Sequence, residues 1–413
     1  MLRSFFVAIA LALGVGGEGA APPPLQPAAP AREGVLGILW DEVEPGGELV
    51  RMDSLTLEPI GPRLELASGN ASAAYSPDNG RLALGYPEPA NLEFVDLARM
   101  KSLGTVDLGV DGWVNNLFWE LGSLFAVVDG ENERAVVAID PVRRQVTARH
   151  RINGTILHVE RSADRQVVLL LAPPAGIGPL RLAVVGGKGM TTAPIPGFTG
   201  GWETEQEGDE VRSRQRVPAL VIDEVGKRAL VVSGRAVAEI SLRDLSVQQH
   251  TLSEPVSLLG RFRNWLEPPA YAKLVDGPWR NGAWVGDGLF AVSGEDYSSA
   301  QGEHHYADPA GISLVDTRDW SVRTIDDESV ELVVTENAIV GHGGFEHGGV
   351  TGYDKGGEKR FQLLAKKPVW LQVVGGFVYA THDDGKTIAV IDPALGRVVG
   401  NTKSEQLLTL VEG

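Results

Sequence analysis

The chain has 413 residues, 51 of them Gly and 25 Pro, no Cys, and a formal charge of −17. So acidic a surface argues against partners with phosphate backbones and against anionic membranes, both of which require basic patches. The absence of Cys excludes disulfides and a lipid-bearing cysteine, while the Gly and Pro content without any long amphipathic pattern favours a turn-rich all-β chain.

From the N-terminus, Arg3 precedes an apolar run, Phe5–Val15, and the small residues Val15, Gly17 and Gly19. The run is too short for a bilayer core, which takes about 20 residues, so residues 1–19 are expected to be a signal peptide. The mature chain would then have no membrane span. It would be exported, extracellular or in the cell envelope, and zero Cys in an exported chain fits a bacterial source. Residues 20–33, AAPPPLQPAAPARE without its flanks, read as a disordered Pro/Ala-rich tether.

Residues 34–413 read as short strands in repeated units. Gly34–Trp40, Glu48–Asp53 and Ile60–Leu66 make the first, and Ala71–Tyr75, Arg81–Gly85, Leu92–Asp96 and Lys101–Leu108 the second. The third runs from Val114 to Ile152, the fourth from Ile156 to Pro194, the fifth from Ala219 to Leu252 and the sixth from Ala283 to Ile325. The seventh spans Glu331–Leu364 and the eighth opens at Val369. Third strands end in Asp at 53, 96, 140, 316, 354 and 392, most at steps of about 40 residues, which is a propeller-blade period. The Asp is expected to start a turn by bonding its own backbone. A four-stranded unit has two apolar faces, and radial stacking buries both. The first unit lacks an inner strand and Gln406–Val411 is a spare one, so the C-terminus is expected to close the ring. The reading is a β-propeller of four-stranded antiparallel blades, eight in number, with seven as the alternative.

The stretch Phe377–Gly400, FVYATHDDGKTIAVIDPALGRVVG, resembles the YVTN-type repeat of the WD40/YVTN-like propeller superfamily. Phe125–Val146 and Leu82–Gly104 are similar to further copies. The resemblance implies the fold over roughly residues 34–413. It implies no catalytic residues, because the repeat is structural.

Three insertions, at 197–216, 253–282 and 297–310, fall on connections that emerge at one end of the ring. Long loops on a rigid scaffold are where binding concentrates. Trp202–Arg216 is densely charged and expected to be solvated, and Leu258–Leu266 carries an apolar helical face. Five of eight His fall between 304 and 382: His304, His305, His342, His347 and His382. With Glu346 and Asp383 they occupy second-to-third strand connections of units six to eight, more than turns need structurally. Trp265, Tyr271 and Trp279 are expected to wall the same sector. Imidazole with carboxylate can bind a polar ligand, work as acid and base, or hold a divalent metal, zinc in preference to calcium. There is no HExxH, nucleophile elbow or phosphate loop. The expected function is a binding module or scaffold for a small molecule, glycan or protein, with no nucleic acid. The alternative is a propeller lactonase, lyase or metal-dependent hydrolase using the His and acid groups.

Overall fold

The computed structural model describes Gly34 to Val411 except residues 42–45, 70, 88, 121, 131–132, 163, 165, 187–188, 208–209, 254–277, 297–307 and 344–347. The segments read as signal peptide and tether, and the apolar stretch at 258–266, lie outside the described residues. Those residues form eight antiparallel sheets and no helix. In sheets two to eight the strands follow chain order from the inside outwards, beginning with Ser72–Tyr75, Trp113–Glu120, Thr155–Arg161, Ala219–Asp223, Trp279–Gly286, Glu331–Val334 and Val369–Val374. The first sheet alone draws on both ends of the chain. Leu407–Leu410 pairs with Val35–Trp40, followed by Gly47–Met52 and Pro59–Leu66. The closing strand is therefore C-terminal, as the strand count predicted.

Eight apolar clusters, one in every gap between neighbouring blades, prove that the ring closes. Leu92, Phe94 and Trp119 pack blade 2 on blade 3, with the two rings edge to face at 5.7 Å. The last gap joins blade 8 to blade 1 through Tyr379, Leu408 and Leu410. Each strand alternates its side chains between the two neighbours, which is why both faces of a blade must be apolar. In the second strand of blade 7, for example, Ile339 packs towards blade 6 and Val340 towards blade 8.

The recurrent Asp is structural. Asp53 accepts the N–H groups of Leu55 and Thr56, Asp140 those of Val142 and Arg143, and Asp392 those of Ala394 and Leu395. Four residues on, the chain passes through left-handed backbone at Leu57, Arg144 and Gly396, each returning its N–H to the Asp carbonyl. The turn is thus held at both ends by one residue.

Two insertions differ from expectation. The outer strand of blade 4 runs on from Gly189 to Glu207 and folds back as Glu210–Arg216, so 197–216 is a β-hairpin arm continuing that blade. The two strands pair from Gly201↔Arg216 to Glu207↔Glu210. Residues 279–282 belong to the inner strand of blade 6, with Trp279 opposite Glu295. The connection at 297–310 does leave between second and third strands, and Asp308–Pro309 already pairs with Glu295–Asp296.

Candidate functional site

Antiparallel order puts second-to-third and outer-to-inner connections at one end of every blade. This insertion face is where the polar groups gather. His342 ends the second strand of blade 7, Ile339–His342, and His382 ends that of blade 8, Phe377–His382. On the first strand Val340, and on the second Val378 and Ala380, pack in the gap between blades 7 and 8. By strand alternation His342 and His382 face that same gap from opposite walls, at the same end. They are the two sequence-predicted histidines that lie among the described residues.

His342 is 4% exposed, and its Nε2–H donates to Glu331 Oε2 at 2.8 Å. Glu331 begins the inner strand of blade 7, directly opposite His342 in register. His382 is held below the usual imidazole range by burial and by the Lys367 ammonium, against the pull of Asp384 and Asp383. Asp384 itself serves the hairpin. Burial would raise its pKa, but the hydroxyl and N–H of Thr387 and the N–H of Lys386 hold it down at about 2. Asp383 carries no such duty in the turn among the described bonds and stands beside His382.

Blade 6 adds a buried cation. Arg280, 3% exposed, sits in the inner strand and donates through Nη2 to Asp296 and through Nη1 to the carbonyls of Glu295 and Trp279. The Glu295 carboxyl is pushed up by burial and by the neighbouring Glu331, with Arg280 opposing. Trp279 is a half-buried residue of the inner strand, its backbone paired to Glu295 and bridged to Val217.

Two further buried groups sit on the side of blade 4 that faces blade 5. His158 and Glu160 lie on its inner strand, after a bulge between Ile156 and His158. Burial drives the His158 imidazole down to about 4, although the carbonyls of Pro218 and Arg280 favour its charged form. Burial alone pushes the Glu160 carboxyl up to about 7. A raised carboxyl costs stability as pH rises from about 4.5 to 7, because the native state then holds a proton that the unfolded chain has released. A lowered imidazole does the reverse, restoring stability as pH rises from about 4 to 6.5. The two slopes oppose each other. In urea unfolding, Glu160→Gln should match the parent near pH 4.5 and exceed it by about 3 kcal/mol at pH 8. An unchanged difference across that range would show that Glu160 is solvated.

Among the described residues, no three His or carboxylate side chains come together as a metal site. His304, His305, His347, Glu346, Trp265 and Tyr271 lie outside the described residues. Arg280, Glu295, Glu331, His158 and Glu160 were not marked by the sequence. The available signal was a charged or imidazole side chain on the inner or second strand of a blade.

No protein-family model matches the chain, and no curated protein matches it. Solved structures do. Dihydro-heme d1 dehydrogenase NirN in complex with DHE superposes with a TM-score of 0.53 at 15% identity, over 94% of this chain and 77% of that one. Apo AztD from Citrobacter koseri gives 0.50 at 11%, over 92% and 97%. The Myceliophteria thermophila Cps50 (Swd1) β-propeller domain gives 0.45 at 10%, over 81% and 86%. What they share with this chain is the fold. This chain is an eight-bladed β-propeller. WD40 domains are among its structural neighbours.

Proposed function

We propose that the chain is an exported binding module that takes a small polar ligand on its insertion face, over blades 6 to 8. The observation that carries this reading is that His342 and His382 face one gap from opposite walls. Glu331 orients the first and Lys367 and Asp383 flank the second. Imidazoles whose orientation is set by carboxylates present directed donors and acceptors in a partly dehydrated setting, the combination found in small-molecule sites. No nucleophile with an adjacent base accompanies them among the described residues, which favours binding over turnover. By their place in the second-to-third strand connections, His347 and Glu346 in blade 7 and His304 and His305 in blade 6 belong to the same proposal. So do Trp265 and Tyr271, from the connection entering blade 6.

A thermal-shift screen of residues 20–413 against polar metabolites and zinc chloride tests the reading. A ligand at a hundred times its Kd should stabilise the protein by about 2.7 kcal/mol. His342→Ala and His382→Ala should each remove that shift. A hit that stabilises both variants as well as the parent would place the ligand elsewhere and sink the proposal.

A further inference from the structure

Blade 3 carries a basic edge in an acidic chain. Residues 143–151, RRQVTARHR, hold four Arg and no carboxylate, although the whole chain has a net charge of −17. Gln145–Arg151 is the outermost strand of its blade, so one side of it has no ladder. Arg149 lies opposite Val137 and Arg151 opposite Ala135. Both partners belong to the apolar cluster between blades 2 and 3, so both Arg face blade 2. The Arg149 guanidinium rests on the connection from blade 2, where a Cβ on Gly109 would come 2.4 Å from Nη2. Arg144 reaches Gly104 of blade 2 in the same way, at 3.1 Å. Arg151, with its side chain 82% exposed, meets Glu133 at 2.7 Å.

The hairpin arm of blade 4 is the complement. Its sequence from 203 to 210, ETEQEGDE, holds five carboxylates and no cation, with Glu at 203, 205 and 207. Pairing with Gly176–Gly186 ends at Trp202, so residues 203–207 are paired on one side only among the described residues. Glu203 meets Arg214 of the returning strand at 3.9 Å with both side chains exposed to water, a contact of little worth. Two residues of strand span about 7 Å, which spaces these glutamates as Arg149 is spaced from Arg151.

We infer that the arm of one copy adds to the outer edge of blade 3 in a second copy, its glutamates set against Arg149 and Arg151. Main-chain bonds along two free edges supply affinity, and opposite charges on cross-strand neighbours set the register. The arm leaves the insertion face, whereas Gln145–Arg151 runs along the side of the ring, so the pairing joins two copies. One arm and one edge per copy make the contact heterologous, and it builds chains or closed rings.

Sedimentation of the full chain in about 0.1 M and about 1 M salt tests this, because the Debye length falls from about 10 Å to about 3 Å. Association should appear in the lower salt and weaken at least about tenfold in the higher. Salt also screens the repulsion between two acidic copies, so weakening in salt points to local pairs of opposite charge. Arg149→Glu with Arg151→Glu should leave a monomer, and so should Glu205→Arg with Glu207→Arg. An equimolar mixture of these two variants should associate again, since every contact between unlike copies is then complementary. Arg149 and Arg151 are exposed, so their reversal should leave the thermal midpoint near that of the parent. If the midpoint falls, Arg149→Gln with Arg151→Gln carries the same test. A parent chain that stays monomeric up to about 1 mM overturns the inference. So does association that survives either pair of reversals, or a mixture that stays monomeric.

Discussion

Deleting Leu407–Gly413 should abolish cooperative folding near room temperature, not fray one edge. The deleted strand makes the inner ladder of blade 1 from Gly37↔Leu410 to Trp40↔Leu407. Leu408, Leu410 and Val411 are 6%, 3% and 2% exposed, and fully burying each such side chain is worth roughly 1.5–3 kcal/mol. Further ties cross the seam: Trp40 Nε1 donates to Thr409 Oγ1 at 3.2 Å and Val411 N to Leu36 O at 2.9 Å. Their loss also exposes Val35–Trp40 as an open sheet edge beside the channel, a site for aggregation. Together these terms approach the whole stability of an ordinary domain, about 5–15 kcal/mol. Calorimetry and urea unfolding of the truncated chain would check this. A midpoint equal to that of the parent would mean that blades 8 and 1 hold together without the strand.

The second large effect is expected at Arg228, at the opposite end of the ring. Its Nε donates to Asp223 Oδ2 and its Nη1 to Glu239 Oε1, both at 2.8 Å, while Nη2 reaches Thr317 Oγ1 of blade 6 at 3.1 Å. The guanidinium carbon also stands 6.0 Å from the centre of the Trp284 ring. Burial disfavours the charged guanidinium, but Glu239 and Asp223 outweigh it and hold its pKa above the usual value. Glu239 extends the network to His250, which stacks on Trp320 at 3.8 Å. The side chain of Asp223 is only 4% exposed, so removing its cation strands a buried carboxylate. Arg228→Met should cost about 3–5 kcal/mol in chemical unfolding, far more than a surface pair would. Adding Asp223→Asn and Glu239→Gln should restore most of the stability. A loss below about 1 kcal/mol would show the network to be no stronger than surface ion pairs.

The polar face of the ring is where sequence and structure part company. The His-bearing connections of blades 7 and 8 could be marked in the sequence because turns need only Gly, Asn and Asp, and imidazoles there stand out. Trp279 was marked too, on the assumption that it belonged to an insertion. Its pairing with Glu295 shows that the strand begins earlier, because Arg280 and Asp296 hold together a ladder that apolar patterning alone would not reveal. The charged stretch after Phe198 likewise became a hairpin, since alternate polarity is as good a ribbon signal as alternate apolarity.

What the sequence determined by itself was local and periodic: strands of alternating or continuous apolar residues, the Asp-started turns, and a spare strand at the end of the chain. Those features rest on neighbours in sequence, so they can be read without coordinates, and the spare strand then leaves the closing of the ring as the one way to satisfy the first blade. The tertiary structure alone decided which gap each polar side chain enters. Glu160, Glu331 and Arg280 look in the sequence like any solvent-facing residues of a strand. Only the ring turns them towards packed neighbours, where burial raises the Glu160 carboxyl, Arg280 needs the acceptors it finds at Asp296 and the Glu295 carbonyl, and Glu331 meets His342.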